Sequence, residues 1–272
     1  MKTHREKEGL LGPVHTVRTH VTKLPAMIER PSSSGRTLKQ MITFDSEGRK
    51  SEETFYGEND SIQSRKVYVR DASQHTGWMT YDSNGLLLER LICQHDPDGK
   101  RTEHLTYGRD GKLQWRQVTS RDKENKQCEE AFYTADGTLM WKHLTVYDDQ
   151  DRVIEARTYV PNQVIEQKGR RQEHRTVATY SDLADTFECA YYSGETLAGR
   201  FLFLNPEGPI AQVFNYDGGG VLQSRETIER LKFDDHGNWT EERVSTWVAG
   251  TGKTEPNELE PTELHHRIIT YH

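Results

Sequence analysis

The sequence predicts an all-β fold: a long antiparallel meander of short strands joined by tight turns, curled into an open spiral or barrel-like shell. Three observations predict it. One turn motif recurs along the chain: an aromatic residue, an Asp, two variable residues, then Gly and often a cation. It reads Phe44-Asp45-Ser46-Glu47-Gly48-Arg49, Tyr81-Asp82-Ser83-Asn84-Gly85, His95-Asp96-Pro97-Asp98-Gly99-Lys100 and Phe233-Asp234-Asp235-His236-Gly237. The turns return near residues 44, 56, 68, 81, 95, 107, 120, 133 and 147. The chain is also poor in apolar residues, at 33%, with a mean hydropathy of −0.90. It covers a thin core and leaves much of a sheet wet.

Each element follows from that period. About four residues go to a turn and about eight to a strand, too few for a helix plus a strand or for a parallel crossover. Antiparallel neighbours remain. Asp at the first turn position caps its own turn, and Gly at the fourth takes the left-handed conformation that closes a type I turn with a G1 bulge. The segments between turns, such as Leu113–Thr119, are rich in the Thr, Val, Leu, Tyr and Trp that strands favour. The pre-turn aromatics Phe44, Tyr56, Tyr68, Tyr81, Tyr107, Tyr133, Tyr147 and Tyr159 form columns of rings at the sheet margins. A twisted sheet of more than about ten strands curls, and about fifteen short strands are expected, by strand-length norms.

The chain reads as a single domain, 1–272. Residues 1–40 are an N-terminal cap strand and loop, 41–248 the turn repeats, and 249–272 an acidic loop and a C-terminal cap strand. Repeat arrays need such atypical ends. The period loosens after residue 160, yet Lys168-Gly169, Asn205-Pro206-Glu207-Gly208 and Asp217-Gly218-Gly219-Gly220 still read as turns.

The motif, seen best at Phe44–Arg49, Tyr81–Gly85, Tyr107–Lys112, Tyr133–Gly137 and Phe233–Gly237, resembles the YD-repeat (RHS-repeat) family over roughly residues 41–245. The Gly12-Pro13-Val14 opening and Gly237-Asn238-Trp239-Thr240 are similar to small bacterial proteins carrying such repeats. The resemblance implies a long antiparallel sheet curled into a spiral or shell, which in large toxin members encloses a toxic C-terminal domain. This chain is too short to enclose a folded domain and carries no toxin-like segment after its repeats.

Charge and composition exclude several functions. A net charge of −7 argues against nucleic acid, whose binding needs clustered cations. The run Lys168-Gly169-Arg170-Arg171 is a solvated turn. The charged N-terminus writes no signal peptide, and no stretch matches a membrane helix. A lipid-facing barrel is also disfavoured, because strands such as 49–55 carry charge on both faces. The compartment is open: cytoplasmic, or envelope or secreted if a signal was removed. Cys93, Cys128 and Cys189 form no metal spacing and read as free, half-buried thiols.

No local catalytic motif appears, and no cofactor or metal is implied. Gly250-Thr251-Gly252-Lys253-Thr254 resembles the end of a P-loop, but Trp247 stands where its first Gly belongs. His265 and His266 point to opposite faces of a strand. Asp148-Asp149-Gln150-Asp151 lacks an EF-hand spacing, and Asn238-Trp239-Thr240 is a formal sequon. Counting four residues past each turn Gly gives Glu52, Glu89, Glu103, Trp115, Trp141 and Glu241, which strand parity places on one face. Counting five gives Glu53, Arg90, His104, Arg116, Lys142, Arg225 and Glu242, a mostly basic face.

The site expected from this is a groove formed by Trp115, Trp141, Glu89 and Glu103 that takes a polysaccharide or an extended peptide. The competing reading has both Trp filling a curled interior. The function expected is a non-catalytic β-repeat scaffold that binds a protein or glycan. The alternatives are a carbohydrate-active enzyme with acids in the curl of the sheet, and an immunity or accessory protein that caps a toxin through an exposed sheet edge.

Overall fold

The computed structural model describes residues 3–24, 36–70, 76–160, 173–181, 185–206, 208–249 and 259–272. The P-loop-like segment, the basic run 168–171 and the loop 31–35 lie outside the described residues. After a short helix α1 (His4–Lys7) come β1 (Val14–Lys23), β2 (Thr37–Phe44), β3 (Lys50–Tyr56), β4 (Ile62–Arg70), β5 (Thr76–Asp82) and β6 (Leu87–His95). There follow β7 (Arg101–Gly108), β8 (Leu113–Asp122), β9 (Gln127–Thr134), β10 (Leu139–Tyr147), β11 (Val153–Tyr159) and β12 (Glu173–Ser181). The last are β13 (Thr186–Ser193), β14 (Thr196–Leu204), β15 (Ile210–Asp217), β16 (Leu222–Phe233), β17 (Trp239–Val248) and β18 (Glu260–Tyr271).

Each strand pairs antiparallel with its predecessor and successor, and β18 pairs with β1 through Val17↔Ile269 and His20↔His266. The meander is therefore a closed barrel of eighteen strands, more than expected, and the sheet has no free edge. The turns form as the motif dictates. Asp45 Oδ1 accepts from the amides of Glu47 (3.0 Å) and Arg49 (2.9 Å), and Gly48 sits at φ 74°. Asp82, Asp148, Asp217 and Asp234 repeat the pattern. One expected turn is misplaced: Tyr68 lies inside β4, where it faces Trp78 across the pair.

Handedness separates the inner wall from the outer one. Around the ring the register climbs by roughly 20 residues toward the C-terminal end of β1, the stagger that tilts the strands of a barrel this size. Barrel strands coil right-handed. Seen from outside with β1 upward, the chain therefore advances to the left. The Arg121 amide donates from β8 back to Lys100 O, 2.8 Å away, before β7. On an upward strand of L-residues, a side chain facing the viewer has its own amide pointing right. From the Arg121 side, β8 runs down with β7 on its left, so the chain advances to the right. That is the view from inside. Arg121 and the residues in register with it, among them Trp115, Cys128, Phe132 and Trp141, line the lumen.

At about 4.8 Å between strands and a tilt near 40°, a circular closure is about 36 Å across. Side chains from one wall do not reach the other, and the exposed area, 17671 Å², exceeds the roughly 12,000 Å² of a compact chain of this mass. Among the described residues, the buried apolar side chains gather into a cluster in one sector. There the N-terminal segment 3–13 lies against the inner face of β18, β1 and β2. Leu10, Val14, Val17, Ile42 and Phe44 are buried together, with Ile269 and Tyr271 against them. The segment is tied at both ends. The Arg5 amide donates to Gly48 O (3.0 Å), and Asn238 exchanges two hydrogen bonds with the Leu11 backbone (2.6 and 2.9 Å).

Candidate lumenal binding site

The four residues expected to share a groove do not share a face. Trp115, Trp141 and Glu89 line the lumen, whereas Glu103 is on the outer wall, 3.3 Å from the Arg116 guanidinium. Glu52 and Glu241 are outside as well. The reason is geometric. Turns of one hand alternate between the two ends of the barrel, and a hairpin carried to the opposite end presents the opposite face to the lumen. Four residues past the Gly is inward after β5, β7 and β9, and outward after β2, β6 and β16. The basic set splits the same way: Arg90, Arg116, Lys142 and Arg225 point out, and Glu53, His104 and Glu242 point in.

Trp115 on β8 and Trp141 on β10 flank Phe132 on β9, with ring centroids 5.7 and 5.4 Å apart and planes 27° and 1° from parallel. Trp115 keeps 39% of its surface exposed. The sequence count missed Phe132. It directly precedes Tyr133, which faces outward at its turn, so parity sends Phe132 inward. Glu89 accepts from Thr80 Oγ1 at 3.2 Å on the same wall, two strands away from Trp115.

The same three strands carry a polar track away from the rings. Gln117, Glu130 and His143 form the next level, and His143 Nδ1 lies 2.8 Å from Thr158 Oγ1. Thr119 and Thr145 follow. The track ends in a recess of about 520 Å³ lined by Arg121, Lys123, Lys126, Cys128, Tyr147 and the turn residues beside them. Burial pushes the Cys128 thiol up, and Glu130 adds to it; burial also raises the Tyr147 phenol. Neither is an ionised nucleophile at neutral pH. His104, on the neighbouring strand, is lowered by burial and by His95. All three cysteines are free, as expected, and all face the lumen.

A second inner cluster lies on β16–β18. His265 Nε2 is 2.9 Å from Glu263 and its Nδ1 is 3.4 Å from Glu242. The hydrogen bond to Glu242 raises the His265 pKa, with Glu263 adding to it. Burial raises the Glu226 carboxyl, and Glu242 and Glu263 push it further. The Arg267 guanidinium lies 3.6 Å from the Trp239 ring centre, and burial lowers it to about 10. Asn238 is buried and hydrogen-bonded to Leu11 and Tyr271, so its sequon presents no free amide. Among the described residues, no three His, Cys, Asp or Glu side chains are placed to hold a metal.

The outer wall repeats a different theme. A cation faces an aromatic ring across successive strand pairs: Arg65↔Tyr81, Arg90↔Tyr107, Arg116↔Tyr133, Lys142↔Tyr159, Arg175↔Tyr192 and Arg200↔Tyr216. Most of these cations also pair with a carboxylate on the strand before: Glu52–Arg65, Glu129–Lys142 and Glu155–Arg175 at 2.6–2.7 Å. A row of charge thus crosses the wall where a lipid-facing barrel carries a continuous apolar band. Among the described residues no helix is long and apolar enough to cross a membrane.

No family model and no curated protein matches the chain. Among solved structures it is similar to a porin-like protein from Bacteroides uniformis, at 8% identity over 96% of this chain and 98% of that one, with a TM-score of 0.45. It is similar to a protein with unknown function from Bacteroides fragilis, at 19% identity over 39% of this chain and 77% of that one, with a TM-score of 0.26. It is also similar to the Photorhabdus luminescens Tc holotoxin pore, at 10% identity, with a TM-score of 0.32. That match covers 85% of this chain and spans 14% of the toxin chain. None reaches a TM-score of 0.5, and the architecture rests on the strand pairing.

Proposed function

We propose that the protein is a non-catalytic binding barrel, kin to YD-repeat proteins, whose outer wall faces water and whose lumen takes a glycan chain. The observation that carries this reading is the row of Trp115, Phe132 and Trp141 on the inner wall, left uncovered while an apolar cluster is sealed elsewhere on the same wall. Aromatic rings flanked by hydroxyl, amide and imidazole groups match the alternating apolar faces and hydroxyl edges of sugars. Titration of tryptophan fluorescence with a panel of soluble oligosaccharides tests it. Binding that falls at least tenfold in Trp115→Ala and Trp141→Ala, with melting changed by a few degrees at most, supports the reading. Saturating glycan with no spectral change, and no difference between variants, refutes it.

One observation favours a second reading, a carbohydrate-active enzyme: the protonation-prone Glu226 lies close enough to Glu242 and Glu263 to be shifted by both. Turnover of the same glycans, abolished in Glu226→Gln, is its test. Toxin capping through a sheet edge finds no support, because the closed ring offers no edge.

A further inference from the structure

The recess at the end of the track points to the kind of chain that fits it. This inference rests on the lumenal reading and adds a charge requirement to it. We infer that the ligand is an acidic glycan, carrying carboxylate or sulfate groups, that lies along β8–β10 with its sugar faces toward the aromatic row and an anionic group in the recess.

Geometry places both features on one line. On β10, Trp141 belongs to the aromatic row and Tyr147 to the recess; six residues of strand separate them, about 20 Å. On β8 the same interval runs from Trp115 to Arg121. A chain laid parallel to these strands meets both ends.

The charges of the recess are unevenly committed. Arg121 and Lys123 are exposed and have no carboxylate within ion-pair distance among the described residues. Lys126 is paired with Asp149. The carboxylate of Asp122 is turned into its own loop, where it accepts from the amides of Glu124 (3.1 Å) and Asn125 (3.0 Å) and from the Asn125 side chain (2.8 Å). Asp151 in the next turn also lines the recess, and Glu130 lies close enough to act on Cys128, so these two carboxylates oppose part of the positive charge. Two cations without a carboxylate partner, Arg121 (hydrogen-bonded to the Cys128 thiol) and Lys123, therefore face a cavity of about 520 Å³ in a protein of net charge −7. An anionic group there gains charge-assisted hydrogen bonds at little desolvation cost to the two side chains. The Tyr147 hydroxyl stays protonated at neutral pH and donates to an anion in the same recess.

The experiment compares one chain in two charge states: an oligogalacturonate hexamer and its carboxyl-reduced neutral counterpart, titrated calorimetrically against the whole protein at low salt. The acidic chain is expected to bind at least tenfold more tightly, and 0.5 M salt should erase that preference. The double variant Arg121→Gln/Lys123→Gln should lose the preference and bind the neutral chain as the wild type does. Both side chains are exposed, so an unchanged melting temperature checks that the fold is intact. Equal affinity for the two chains, or a preference that survives the double substitution, overturns the charge requirement while leaving the aromatic row as a glycan site. Absence of binding by either chain, with no response to Trp115→Ala, overturns the lumenal reading itself.

Discussion

Two sectors of the inner wall, centred eight strands apart on a ring of eighteen and so nearly opposite, are built from the same repeat and end in opposite states. On β18–β1–β2 the inward side chains are sealed, with Val14 at 0% and Phe44 at 1% exposure. On β8–β10 the larger Trp115 is left at 39%. Neither propensity nor turn chemistry differs enough to explain this. What differs is a second layer: segment 3–13 covers the first sector and nothing among the described residues covers the second. A single sheet curled this widely does not bury its own inward face. Burial needs a covering element, and an uncovered aromatic sector is available for a ligand.

Substitutions matched across the two sectors should differ most. Phe44→Ala is expected to cost about 3–5 kcal/mol, the range for emptying a closed aromatic site. Trp115→Ala should cost about 1.5 kcal/mol or less despite the larger ring, because water already reaches it. Urea denaturation of both variants gives the difference. Equal losses would show that the far sector is packed core and would remove the argument for a site there.

The clamp on the covering segment comes next in size. Asn238→Ala leaves the amide and carbonyl of Leu11 without their side-chain partner and should cost about 2 kcal/mol. The residue at the same motif position on the other side, Lys112, is exposed, and Lys112→Ala should stay within about 0.5 kcal/mol. Amide exchange of residues 5–12 should speed up in Asn238→Ala and be unchanged in Lys112→Ala.

The turns were legible in the sequence because their chemistry is local: an Asp that satisfies amides two and four residues on, and a Gly that takes positive φ. The meander followed from their spacing. The face of each side chain was not legible from the same count. It depends on which end of the barrel a turn occupies, so Glu103 and Glu89, equivalent in the motif, lie on opposite walls. The covering segment was invisible for another reason. Its clamp joins Leu11 to Asn238, 227 residues apart, and nothing in either local sequence marks the other.

The smallest contrast is in the response to pH, where a histidine of the sealed sector and one on β7, beside the open sector, move in opposite directions. His265, beside Glu242 and Glu263, has a raised folded pKa. Its contribution is fully present below the unfolded value near 6.5 and is lost as pH rises through the higher folded value. His104, depressed by burial and His95, resists protonation in the fold. The unfolded chain then binds the extra proton, so stability rises as pH climbs through the interval below about 6.5. His265→Gln should therefore flatten the decline in melting temperature on the alkaline side, and His104→Gln the rise on the acidic side. Each change is expected to be no more than a few degrees, since even 1 kcal/mol in a chain of this length moves melting by only about 2–4 °C. Both variants flattening the same limb would mean that the two walls share one electrostatic environment, contrary to a lumen wide enough to keep them apart.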